Sequence, residues 1–417
     1  MKPDSGPKGI GRRGLLVGGF GGLAAGGLVS GLSVDAAHRE REASAGSKIA
    51  QSHYEFYDQP HPVGVSTIPQ QYSVFMAFDL TLATAQDLQV LLARWSAAID
   101  QLMQGNSIGQ VEPEHEQSVA TDTGEALGLG PNNLTVTVGF GPGMFDGRFG
   151  LAAKRPKKLA KLPKFSSDRL DPAVCDGDIS LQACADDPQV AYHAIRDLAR
   201  MARGSATTKW TVMGFGKASA QGGQETPRNL LGYKDGTRNV STDPDHEKFV
   251  WVGDDDVAWM RGGTYQISRK IQMFIEIWDA DRVSDQNEVF GRFKVSGAPL
   301  SGHAEFDTPD FHAKGADGDP VIPVNSHVAL SAPENNGGVK ILRRPYNYTD
   351  GINSDGQLDA GLHFLAYVND PQHFITLQDR LGASDMLNEY IAHRGSAIFA
   401  VPPNPARGSF IGRELFG

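Results

Sequence analysis

Residues 72–80 read Tyr-Ser-Val-Phe-Met-Ala-Phe-Asp-Leu, with Val74, Met76, Phe78 and Leu80 on one face of a strand. Phe75 makes the opposite face apolar too, which predicts a place in the middle of a sheet. After Thr84 the period changes. Leu88, Leu91, Leu92, Trp95, Ile99 and Leu102 fall at helical spacing, with Thr84 as cap and Gly105 as stop. Residues 134–140 and 178–184 predict two further strands. Asp187 and Pro188 then open a helix whose buried face carries Val190, Ala194, Ile195 and Leu198. A fourth strand, residues 209–215, completes a β-α-β-β-α-β order, the ferredoxin-like arrangement.

The second half repeats the plan. A long strand is expected over 264–278, a short helix over 284–292, and apolar stretches at 327–330 and 339–343 on either side of a loop. A strand over 362–368, helices over 374–381 and 385–393, and a last strand over 396–401 follow. Gly216, Lys217, Ala218, Ser219, Gly222 and Gly223 mark a flexible joint. The expected class is therefore α+β, with two ferredoxin-like units, 71–216 and 226–417, packed side by side. Residues 46–70, polar and proline-bearing, form an extended arm.

The chain has 417 residues, 40 % of them hydrophobic and 21 % charged, and a net charge of −10. Its 49 glycines and 24 prolines have no period, which excludes a fibrous chain. The acidic balance argues against nucleic acid as a partner. Two cysteines without metal-site spacing exclude a disulfide scaffold and suggest inert thiols. The N-terminus carries the pair Arg12–Arg13, then an uncharged stretch over 14–34 in which eight residues are glycine, then Ala43-Ser44-Ala45. So many glycines make a poor membrane helix. The pattern reads as a cleavable twin-arginine export signal over residues 1–45, delivering the protein to the periplasm or the extracellular space. Its removal takes away six basic and four acidic groups, so the remainder carries −12.

Two segments bear candidate chemistry. Residues 226–239 read Thr-Pro-Arg-Asn-Leu-Leu-Gly-Tyr-Lys-Asp-Gly-Thr-Arg-Asn, where Gly232 and Gly236 flank Asp235 and let the backbone approach a flat ligand. A carboxylate on such a turn can accept a proton, although Asp-Gly is also an ordinary turn signal. Residues 325–348 place His327 beside an apolar strand and end a strand with Arg343 and Arg344. Neighbours on a strand face opposite ways, so one arginine should enter an interior site and the other should not. Weaker features are the basic run from Lys154 to Lys164, read as a solvated loop, and the group His303, Asp307, Asp310 and His312, whose spacing fits no compact metal site.

Taken together, Gly-Tyr-Lys-Asp-Gly-Thr after Thr-Pro-Arg-Asn-Leu, then Ser-His-Val-Ala-Leu and Ile-Leu-Arg-Arg-Pro-Tyr-Asn-Tyr, resemble the dye-decolorising peroxidases, in particular their twin-arginine-exported deferrochelatase/peroxidase branch. The resemblance covers nearly all of the chain after the signal. It implies one haem b per subunit in the C-terminal half, with His327 as proximal iron ligand. Asp235 and Arg343 would be the distal pair, and Gly236, Thr237 and Arg238 would line the haem edge. It implies hydrogen peroxide and a phenolic or dye-like electron donor as partners, haem as a further substrate linked to iron uptake, and a homo-oligomer. Tyr346, Tyr348, Trp251 and Trp278 are candidate electron relays, each equally readable as core. Two positions depart from the family pattern: Ala329 stands where arginine is frequent, and Pro345 where glycine is common. The alternative function is a non-catalytic haem carrier, which would have no need of a distal acid–arginine pair.

Overall fold

A computed structural model describes residues 47–48, 50–216 and 226–417. The expected export signal and most of the expected joint lie outside the described residues. Strand β1 (Tyr72–Leu80) is followed by helix α1 (Ala85–Met103), β2 (Thr135–Phe140), β3 (Ile179–Ala185), α2 (Pro188–Met201) and β4 (Ala206–Gly214). Thr84 caps α1 by accepting from the Asp87 amide, and Asp187 caps α2 by accepting from Gln189 and Val190. After α3 (Asp243–Phe249) come β5 (Thr264–Met273), α4 (Ile275–Ala280), α5 (Val283–Phe290) and α6 (His327–Ser331). The chain continues through β6 (Leu342–Arg343), β7 (Tyr346–Ile352), β8 (Leu358–Val368), α7 (Pro371–Ser384) and β9 (Ile391–Val401).

The strands form one antiparallel sheet in the order β4-β1-β3-β2-β9-β5-β8-β6, with β7 also on β8. Each half has the ferredoxin-like order: β4-β1-β3-β2 in the first, β9-β5-β8-β6 in the second. The halves join where β2 meets β9 through one residue pair, Phe140 and Ala400. At the far ends Phe215 and Asn347 exchange backbone hydrogen bonds of 2.9 Å in both directions. The sheet thus returns on itself as a barrel.

Closure gives every central strand two buried faces. On β3, Ile179, Leu181 and Ala183 pack under α1 and α2 with Trp95, Leu91 and Leu198. Its other face, Ser180, Gln182 and Cys184, turns into the barrel. There Gln266 donates to Gln182 (2.6 Å) and to the Tyr367 hydroxyl (2.9 Å), which itself donates to Gln182 (2.6 Å). Aromatic residues fill the rest of the barrel: Phe75 stacks on Trp210 with ring centroids 4.9 Å apart and meets the edges of His363 and Phe399.

Four expectations need correction. The strand expected over 264–278 stops at Met273, and Ile275–Ala280 turns into a helix that buries Trp278, whose indole donates to the Leu231 carbonyl at 3.0 Å. The apolar run Phe274–Trp278 satisfies either period, so pattern alone does not separate them. His327 does not lie beside a strand. It opens the short helix α6, capped by Ser326. Residues 385–393 are not a helix: Asp385 caps a single turn, Met386–Glu389, and β9 already begins at Ile391. Of 339–343, only Leu342 and Arg343 join the sheet.

The basic run is largely spent on the protein itself. Lys158 pairs with Asp255 and Asp370, Lys161 with Asp176, and Lys157 donates to the Asp255 carbonyl. Among the described residues, no helix is long and apolar enough to cross a membrane. Because Phe75 touches aromatics from both halves, Phe75→Ala is expected to lower unfolding free energy by about 3–5 kcal/mol. Chemical denaturation of the purified protein measures this, and a loss under 1 kcal/mol would mean the barrel interior is not a shared core.

Candidate active site

A cavity lies on the outer face of the second half, between the β5–β8–β9 sheet and helices α5, α6 and α7. Its wall draws on alternate strand residues, Arg269, Ile271 and Met273 from β5 and Leu362 and Phe364 from β8, and on Phe290, Phe374, Leu377 and Leu381 from the helices. All six residues expected at the site, Asp235, Gly236, Thr237, Arg238, His327 and Arg343, line it.

The segment bearing Asp235 is a small hairpin: Arg228 and Lys234 pair across a bend at Gly232, whose φ of +87° only glycine adopts freely. Gly236 needs no such angle. A side chain there would press on Thr226 Cγ2 at 3.3 Å. The Asp235 amide donates to the Pro227 carbonyl at 2.8 Å, which aims the carboxylate inward. Arg343 donates from Nη1 to Asp235 Oδ1 (3.1 Å) and from Nη2 to the Thr237 carbonyl (3.0 Å). Its backbone is clamped by Asn239, which accepts from the Arg343 amide (2.9 Å) and donates to its carbonyl (2.8 Å). Arg344 takes the opposite face, as strand alternation requires. It is buried against the arm, donating to the carbonyls of Thr67 and Ile68 and to Gln70 Oε1.

His327 sits deep in the protein, yet 33 % of its side-chain surface is open, because that surface faces the cavity. Nδ1 lies 2.7 Å from Asp385 Oδ2, and Asp385 is itself held by the Leu387 amide on its other oxygen (2.9 Å). Burial works against a charged imidazole, but Asp385 outweighs it and moves the His327 pKa upward. With Nδ1 engaged, Nε2 is the nitrogen left to the cavity, the arrangement in which a carboxylate orients a metal-ligating histidine.

Sequence reading missed the residues that support this constellation. Glu305 accepts from Thr226 (2.6 Å) and Thr237 (2.9 Å) and pairs with Lys234, so one carboxylate ties both ends of the Asp235 hairpin. Glu334 pairs with Arg238, which adopts a left-handed φ of +59°. Buried Arg292 is pushed down to about 10 by desolvation first, then by Arg238 and Arg343. Arg269 forms a fully buried pair with Asp168, while its Nε and Nη1 find no acceptor on the protein. Asp385 carried a legible signal as a capping residue. Glu305 and Asn239 carried none, since their partners are distant in the sequence or on another strand. Tyr346, Tyr348, Trp251 and Trp278 are all buried and belong to the core.

A profile of the C-terminal domain of Dyp-type peroxidases matches residues 226–406, and one of the N-terminal domain matches 62–216. The chain belongs to the Dyp-type peroxidase family. It is 36 % identical over 429 residues, 99 % of both chains, to a protein named deferrochelatase in Shigella flexneri serotype 5b. It is likewise 36 % identical over 398 residues to the deferrochelatase of Escherichia coli K12. Among solved structures, DtpA from Streptomyces lividans in an oxyferrous complex superposes with a TM-score of 0.82 at 37 % identity, covering 88 % of this chain and 98 % of the other. A DyP-type peroxidase from Streptomyces coelicolor gives 0.81 at 37 % identity over the same shares. Family membership makes this Dyp-type peroxidase a haem-dependent enzyme of peroxide-driven oxidation.

The cavity fits that cofactor on its own terms. It offers a histidine nitrogen free for iron, a flat apolar wall, and the orphaned donors of Arg269 for an acidic substituent. Burial would raise the Glu305 carboxyl, but Lys234, Thr226 and Thr237 together outweigh it and hold it below the ordinary glutamate range. A carboxylate with a lowered folded-state pKa contributes full stability above about pH 4.3 and loses it as the pH falls through the lower value. Glu305→Gln is therefore expected to be destabilised at neutral pH and to show a shallower acid limb below about pH 4.3. Melting temperature against pH measures this, and an unchanged limb would show that the tie carries no stability.

Proposed function

We propose that His327 holds the haem iron from one side and that Asp235 and Arg343 act on peroxide from the other. The arrangement that carries this reading is the opposition, in one cavity, of a carboxylate-oriented imidazole and a carboxylate–guanidinium pair. Haem, when bound, supplies the redox centre at which the O–O bond is cleaved. Asp235 Oδ1 is occupied by Arg343, so Oδ2 is the atom that takes a proton from one peroxide oxygen and returns it to the other, directly or through water. Such a positioned acid–base group contributes about 10²–10⁴-fold. Arg343, always charged, stabilises the negative charge that develops on the departing oxygen. The Thr237 carbonyl keeps its guanidinium from swinging away, and Asn239 holds its backbone. Gly236, Thr237 and Arg238 would line the haem edge, with Arg238 held by Glu334. A buried cofactor cannot touch a bulky donor, so phenolic or dye-like donors deliver electrons through the protein. The −12 charge favours neutral or cationic ones. Residues 1–45 are proposed as a twin-arginine signal that exports the folded chain.

The same cavity supports a second reaction, suggested by the name of the curated relatives: iron leaves haem, two protons replace it on the porphyrin nitrogens, and the ring stays closed. Anaerobic incubation with excess haem should then release metal-free porphyrin recoverable by chromatography. Open-ring products, or unchanged haem, would exclude this activity while leaving the peroxidase reading intact.

His327→Ala should lose the Soret band of the purified protein, and a normal haem spectrum in that variant would refute the ligand. Asp235→Asn and Arg343→Leu should keep the band and lose peroxidase activity, the former by about 10²–10⁴-fold. A haem carrier would be indifferent to both substitutions.

A further inference from the structure

Away from the haem cavity, the first half contains a buried group that the peroxidase chemistry does not use. Asp122 lies in the long connection between α1 and β2, and His193 and Asp197 lie one turn apart on α2, so they share a face. All three are buried, and one ligand atom from each falls within 4.8 Å of the others. His193 Nε2 stands 3.6 Å from Asp122 Oδ2 and 3.6 Å from Asp197 Oδ2.

That spacing is informative. A protonated imidazole donating to a carboxylate draws the oxygen to about 2.7–2.9 Å, so 3.6 Å is too long for a charge-assisted hydrogen bond. A tetrahedron with metal–ligand bonds of about 2.0–2.2 Å has edges of about 3.3–3.6 Å. Independently, the Asp197 side chain is 0 % exposed and neither of its oxygens accepts a hydrogen bond of good geometry. The nearest fixed positive charge is Arg200, whose Nη1 lies 3.6 Å from Asp197 Oδ1, while Oδ2 is the oxygen turned to His193.

The other face of His193 is prepared as well. Nδ1 lies 3.2 Å from Glu125 Oε2 and 3.3 Å from the Thr123 hydroxyl. With Nδ1 turned to Glu125 and Thr123, Nε2 is the nitrogen that faces the two carboxylates. Carboxylate, histidine and metal in line is the usual outer support of a zinc site. Asp122 is fixed by accepting from the Ile108 and Gly124 amides (2.9 and 2.7 Å), and each oxygen keeps a second lone pair.

We propose that Asp122, His193 and Asp197 bind a divalent transition cation of the zinc class, which fastens the loop after α1 to helix α2. One imidazole and two carboxylates suit zinc better than calcium, which needs six to eight oxygens. Binding involves no redox step and forms only coordinate bonds from His193 Nε2 and the carboxylate oxygens of Asp122 and Asp197.

The test uses the haem-loaded protein, dialysed against zinc and then freed of loose metal. It should retain about one zinc per chain in addition to iron, melt at a higher temperature than the chelator-treated form, and resist proteolysis within residues 106–126. His193→Gln and Asp197→Asn should retain none and show no zinc-dependent melting shift. Wild-type protein that neither retains zinc nor shifts its melting temperature would overturn the site, whether or not the variants fold. An equal shift with calcium would overturn the assignment of metal class.

Discussion

Burial of both faces of the central strands is the constraint on which the structure depends. Once the Phe215–Asn347 seam closes the sheet, a strand such as β5 must serve two interiors at once. Gln266 and Ser268 belong to the barrel, where they are satisfied by Gln182, Tyr367 and His363. Ile267, Arg269, Ile271 and Met273 belong to the layer beneath the helices. The two halves answer the same demand differently. In the first, Trp95, Leu88 and Leu198 fill the space between sheet and helices. In the second, helix α7 stands over a space left open.

Much of this was legible because strand and helix periods state which side chains share a face. The bounds of β1, the caps Thr84 and Asp187, and the divergence of Arg343 from Arg344 all follow from alternation and local hydrogen bonding. What escaped was information held between distant segments. Phe274–Trp278 has no preferred period of its own, and in the helix that forms, the Trp278 indole is seated on the Leu231 carbonyl. Ile391–Ser396 carries His393 and Arg394, which read as polar helix positions until a buried Arg269–Asp168 pair and Gln272 are placed beside them.

The same division runs through the candidate site. Its three central residues stand in recognisable segments, but the groups that hold them rigid do not. Asp385 reaches His327 across 58 residues of sequence and Asn239 reaches Arg343 across 104. A reacting group announces itself by its chemistry, whereas a supporting group is an ordinary Asp, Asn or Glu that happens to lie at the right place in space. Rigidity here comes from short polar side chains with few rotamers, each satisfied on more than one side.

The clamp on Arg344 has a consequence for biogenesis. One peptide bond separates that residue from Arg343, and its guanidinium is seated on an arm made 277 residues earlier. The pocket wall also needs His393, close to the C-terminus. No partial chain emerging from the ribosome can therefore present the finished cavity. The cofactor site is thus finished only when the arm and the last strand are in place together.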